Sequence, residues 1–211
     1  MIARTDKFMN PVLREIEAAG GRGFLVLSDV SDPDSITKAM DEALATVTPE
    51  FPLQCVIYNA AARIEQPFEK LTVKLMDTSY KLNILAPFLI FQRATQVMTK
   101  QGFGTLLVTG ATSSLRGNQN FVAFASTKSG LFAMCQSLAK ELGPKGIHVG
   151  HVVIDGGVAN SRIRYVRPDI PWNQGTSMDP DQISEGYWYL HAQEWSCWTF
   201  NLDMRPFNEK F

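Results

Sequence analysis

The chain has 211 residues, with 20 Lys and Arg against 21 Asp and Glu for a net charge of −1. Apolar side chains make up 45% and charged ones 19%, the balance of one globular domain rather than a disordered tail. No basic stripe, bilayer-length apolar run or apolar leader occurs. That argues against nucleic acid, membrane or a secretion signal and makes the cytoplasm the expected compartment.

In chain order, "NPVLREIEAAGG" places Val12, Ile16 and Ala19 on one helical face and stops on glycines. "GFLVLSDV" is a short strand ending at Asp29. "DPDSITKAMDEALATV" begins a helix at Asp32 or Asp34 and carries Ile36, Met40 and Leu44 at spacing four. "LQCVIYNAAA" is a buried strand that runs out into small residues. The stretch from Glu69 to Met98 is helical, with a kink or restart expected near Pro87, which lacks a backbone donor.

"GTLLVTGA" is a strand, and the helix from Phe121 places Leu131, Cys135, Leu138 and Leu142 on one stripe before Gly143-Pro144 stops it. "HVGHVVID" is a strand followed by a glycine break. "RYVRPDIPWNQGTSMDP" reads as a loop or lid, "PDQISEGYWYLHAQ" as a helix and "SCWTFNLDM" as a last strand. Strands separated by helices imply an α/β fold with a parallel, doubly wound sheet and helices on both faces.

Open parallel sheets bind ligands beyond the carboxyl ends of their strands. The residues there are Asp29-Val30, Asn59-Ala60-Ala61, Thr109 to Ser114 and Asp155-Gly156-Gly157, mostly small, which lets a ligand approach the backbone. Cys55, Cys135 and Cys197 fit no metal spacing and read as small core residues in a reducing compartment. His148, His151 and His191 have no acidic companions at ligand spacing, so no metal site is expected. Tyr187, Trp188 and Tyr189 read as packing residues before pocket residues. Asp179, Asp181 and Glu185 mark a helix N-terminus.

The ordered set "DVSD", "YNAAA", "KLN", "LLVTGATSSLRG", "FASTK" and "VVIDGGV" resembles the short-chain dehydrogenase/reductase family over nearly the whole chain. The resemblance implies a single Rossmann-like domain over residues 1–211, with a substrate-side region at about 156–195. It implies an NAD(P)(H)-dependent oxidoreductase acting on a small-molecule carbonyl or alcohol, as a homodimer or homotetramer.

Carried over by residue, it gives Asp29 and Val30 to the adenine end, Asn59, Ala60 and Ala61 to the cofactor wall, and Asn83 to a water-holding place in the proton relay. Lys128 goes to the ribose, and Gly156 and Val158 to the backbone that meets the nicotinamide amide. Arg4 tips the cofactor toward NADP over NAD.

Three features depart from the family. Its tyrosine is Phe124, its serine, thirteen residues earlier, is Ala111, and its opening strand and glycine-rich turn have no counterpart, since "MIART" matches the end of the second strand. The N-terminal part of the domain is therefore expected to be incomplete, with "GFLVLSDV" cut off from the rest of the sheet. Phenylalanine and alanine donate no proton, and the missing turn weighs against cofactor binding. The alternative to an oxidoreductase is an inactive pseudoenzyme or truncated product that serves as a binding or interaction module.

Overall fold

A computed structural model describes residues 1–159, 175 and 177–209. Most of the proline-rich stretch read as a lid, including Trp172, lies outside the described residues.

The strands are β1 (Ile2–Ala3), β2 (Val26–Leu27), β3 (Cys55–Tyr58), β4 (Gly104–Thr109), β5 (Ile147–Ile154), β6 (Gly157–Val158), β7 (Ser177–Met178) and β8 (Asn201–Met204). The helices are α1 (Met9–Ala18), α2 (Pro33–Leu44), α3 (Val73–Tyr80), α4 (Ala86–Gln101), α5 (Val122–Leu142) and α6 (Pro180–His191). The last strand begins at Asn201, later than its apolar run suggests, because Trp195–Cys197 forms a 3₁₀ turn.

Local chemistry explains the boundaries. Asp32 caps α2 through the Asp34 N–H, with Pro33 at the first turn, where its missing donor does no harm. Asp179 and Pro180 repeat that arrangement at α6. The break expected near Pro87 is a single π turn, Lys81–Leu85, between α3 and α4; such turns cluster at functional sites.

The sheet is split. β3-β4-β5-β8 form a four-stranded parallel sheet, whereas β1 pairs only with β2 in a separate parallel pair. This is the isolation expected for "GFLVLSDV": no strand joins the β1–β2 pair to β3, so β1 and β3 both end as edges there. The β1–β2 pair is held through α2, whose Ile36 and Met40 enter the same core as Tyr58, Ile90 and Phe91. An Asp41–Arg93 ion pair ties α2 to α4.

Helices cover the two faces of the sheet unequally. One face buries Leu106, Val108, Ile147 and Val149 under α4 and α5. On the other, Leu107, Val152 and Leu190 form a small cluster under α6, and Ile57 of β3 is 52% exposed. Of the cysteines, Cys135 is buried and Cys55 half-buried, but Cys197 is exposed and so is not a core residue. Among the described residues no helix is long and apolar enough to cross a membrane, and no His, Cys, Asp and Glu group forms a metal cluster.

Candidate functional site

The carboxyl ends of the strands gather the candidate residues. At the ends of β1 and β2, Arg4 and Asp29 come together. The N–H and O–H of Ser31 both donate to the Asp29 carboxylate, at 2.9 and 2.8 Å. These bonds, and then the Arg4 guanidinium, hold that carboxyl below its usual range. It stays exposed, as does the Ala60 that follows β3, whereas Ala61 is likewise open and bears only a methyl. An exposed carboxylate beside a shelf of alanines fits the adenosine end of a nicotinamide dinucleotide.

The relay positions Lys128, Phe124 and Asn83 are all buried. Lys128 is 2% exposed, and its ammonium donates to the main-chain carbonyl of Thr109 at 2.7 Å, so the lysine expected at a ribose is turned into the protein. Burial pulls its pKa down to about 8. Its Nζ lies 5.8 Å from the Phe124 ring centroid, a phenylalanine that is itself buried.

Asn83 is fully buried in the π turn. Its Nδ2 reaches the Ala62 carbonyl and the Ser79 and Thr127 hydroxyls, and its Oδ1 accepts from the Ala62 N–H. Its side chain therefore braces the loop after β3. Tyr58 donates a 2.5 Å bond to the Leu82 carbonyl in the same π turn. A π turn displaces carbonyls from the regular ladder, and the phenol satisfies one of them.

Ala111 begins the turn after β4. Ser114, three residues on, folds back so that its Oγ accepts the Ala111 N–H at 3.2 Å. The same hydroxyl meets His151 Nε2 at 3.2 Å, and His151 Nδ1 meets Asn201 Oδ1 at 2.8 Å. Asn201 Oδ1 only accepts, so Nδ1 carries the proton and Nε2 accepts from Ser114. Burial lowers the His151 pKa, keeping the ring neutral. Gly110 has to be glycine here, since a Cβ would lie 2.2 Å from His151 Nε2.

Asp155 ends β5, buried, and accepts the Thr112 hydroxyl on Oδ1, with Arg205 and Arg116 at 3.6 and 4.0 Å from Oδ2. It thereby joins the turn after β4 to the C-terminal segment. Gly156 follows at φ +138°, where a side chain would be strained and would strike Pro206. Val158 lies in β6, against the mouth of a cleft.

That cleft, about 880 Å³, is lined by Cys55 and Ile57 of β3, Leu107 and Thr109 of β4, Ile154 of β5, and Ile183, Tyr187, Trp188 and His191 of α6. At its top Thr109 Oγ1 donates to Asn59 Oδ1 at 2.7 Å and lies 2.6 Å from the Tyr187 hydroxyl. Tyr187 is thus a cleft residue, and Trp188, 65% exposed, is no core residue; Tyr189 is exposed and not among the lining residues.

Comparison with known proteins places this geometry. A sequence model of the family described as short chain dehydrogenase matches residues 1–167. The chain belongs to the short-chain dehydrogenase family.

Among its curated relatives, L-rhamnose 1-dehydrogenase (NAD(P)(+)) of Sphingomonas sp. (strain SKA58) is 28% identical over 152 residues, 72% of this chain and 59% of the relative. L-xylulose reductase of Mus musculus is 28% identical over 72% of this chain and 58% of its own. The chain thus spans less than two thirds of the length of either. A solved short-chain dehydrogenase from Rhodopseudomonas palustris superposes with a TM-score of 0.79 at 34% identity, over 98% of this chain and 85% of that one.

The chain carries Phe124 and Ala111 in place of the family's tyrosine and serine. Nor does it offer a pyrophosphate cradle where α1 begins, since the residue before that helix is Phe8. Asp29 and the alanines after β3 fit the nucleoside end of the cofactor.

Thr109 and Thr112 fall within the strand-end stretch named from the sequence, whereas Arg205 was missed; only its position just past β8 could have flagged it.

Proposed function

We propose that this chain is an NAD(P)(H)-linked oxidoreductase acting on a carbonyl or alcohol carbon of a small molecule. The observation that carries the reading is the placement of Arg4, Asp29, Asn59, Ala60 and Ala61 just past the carboxyl ends of β1, β2 and β3, with Asn59 and Val158 lining the cleft. Arg4 and Asp29 would hold the adenosine end, Ala60 and Ala61 the wall beside it, and Gly156 and Val158 the nicotinamide amide. The cofactor, once bound, supplies the hydride chemistry that none of these side chains can. Arg4 beside Asp29 supports NADP over NAD, because a guanidinium suits a ribose phosphate.

With Phe124 and Ala111 unable to donate, the proton has to come from another group. The test is a titration of the purified chain with NADPH and NADH, read by tryptophan fluorescence and thermal shift. Saturable binding that is weakened about tenfold by Asp29→Ala, a loss of about 1.4 kcal/mol, is expected. No binding of either cofactor at millimolar concentration overturns the reading.

A further inference from the structure

The main chain of β3 serves two sides. The Thr105 N–H donates to the Gln54 carbonyl at 2.8 Å, and the pairing with β4 runs from Cys55 opposite Thr105 to Tyr58 opposite Val108. Successive residues of a strand turn their amide groups to opposite edges, so Gln54, Val56 and Tyr58 face β4 while Cys55 and Ile57 face outward. Among the described residues nothing takes those outward N–H and C=O groups.

β1 repeats the pattern. The Met1 and Ala3 carbonyls accept from the Val26 and Ser28 N–H groups, at 2.8 and 2.9 Å, which turns the Ile2 N–H and C=O away from β2. Two rows of unpaired main-chain groups therefore border the break in the sheet. The side chains beside it are apolar on both faces. Ile2, Val56 and Tyr58 pack on the larger core, whereas Cys55 and Ile57 line the cleft under α6, Ile57 being 52% exposed.

We propose that the opening between β1 and β3 is a docking site for one extended segment of another polypeptide. It adds as a strand that bonds to Ile2 on one side and to Cys55 and Ile57 on the other. A folded second copy laid edge to edge covers one row and leaves the other unpaired, whereas a single strand carries groups for both. The walls also set the composition. With apolar surface on both faces, the segment is a continuous run of about five Val and Ile residues rather than an alternating one. A polar side chain on the core face would lose water without gaining a partner. This site does not depend on the oxidoreductase reading.

The test uses the whole chain without cofactor and a fluorescent peptide of alternating valine and isoleucine with lysines at both ends. Anisotropy is expected to show saturable binding. The same peptide N-methylated at its central amides keeps the side chains but loses strand donors, and should bind at least about tenfold more weakly. A peptide with lysine at every second apolar position should not bind. Ile57→Pro deletes an outward N–H, which an edge strand tolerates, and should weaken binding comparably while keeping a wild-type unfolding transition. Deuterium exchange of the dilute chain, read by mass spectrometry, should slow in β1 and β3 when the peptide is added.

No saturable binding overturns the proposal. So does binding that is indifferent to N-methylation, which would be nonspecific adhesion to apolar surface. Protection confined to β3 would show that β1 takes no part and overturn the bridging strand. Slow exchange of β1 and β3 in the free chain would show the rows already filled, by a second copy or otherwise, and overturn it too.

Discussion

Lys128 and Thr109 meet at 2.7 Å, ammonium to main-chain carbonyl, with the lysine almost sealed from solvent. No carboxylate shares that bond, so burial dominates and draws the pKa from 10.5 to about 8. Between those two values the unfolded chain binds more protons than the folded one, so this lysine's contribution to stability rises with pH across that window. Below pH 8 both states carry the charge, and the folded state bears a penalty of about 3 kcal/mol. Urea unfolding of wild type and Lys128→Met at pH 7, 8 and 10 should therefore show the variant's relative advantage shrinking as pH rises. A difference that stays flat from pH 7 to 10 would show that the lysine reaches water.

Asp155 is the second buried charge, and its partners come from two segments distant in sequence. Thr112 donates from the turn after β4, and Arg205 approaches from the end of the chain. Asp155→Ala removes the Thr112 acceptor while Arg205 keeps its ion pair with Asp203, so a loss of about 1–2 kcal/mol is expected from chemical denaturation. Asp155→Asn retains an acceptor for Thr112 and should recover part of it. Equal stability of the alanine variant and wild type would contradict the clamp.

Tyr58 offers a test of the π turn. Its hydroxyl satisfies the Leu82 carbonyl, and Tyr58→Phe removes only that oxygen from an otherwise packed ring. The expected cost is about 1–2 kcal/mol, the loss of a part-buried bond with the carbonyl left wanting. Amide hydrogen exchange should quicken in residues 81–86 while β4 and β5 stay protected. Uniform loss of protection across the sheet would mean that the bond supports the whole core rather than the turn.

The order of strands and helices was legible because each apolar run carried one period and each boundary a recognisable stop. Gly143-Pro144 and the Asp32-Pro33 pair are the clearest examples. Even the split sheet could be foreseen, because the motif order begins at the second strand. What could not be read was direction. Asn83 and Lys128 occupy family positions in the sequence, yet their side chains turn to Ala62 and Thr109, and only three-dimensional packing decides that. Tyr187 shows the converse. Its helical pattern looks like packing, and its role in the cleft depends on Thr109, distant in sequence.

Leu27 and Ile57 mark two exposed strand edges. They sit on the unpaired edges of β2 and β3, 61% and 52% exposed, and short apolar edges of parallel sheet invite pairing with another chain. Wild type is expected to show a concentration-dependent mass by light scattering at micromolar protein. Leu27→Lys, which leaves the cleft untouched, should lower that mass, because a lysine on an edge strand opposes edge-to-edge association. Adding Ile57→Lys should lower it further. A wild-type chain that stays monomeric across the concentration range would show that these edges are shielded.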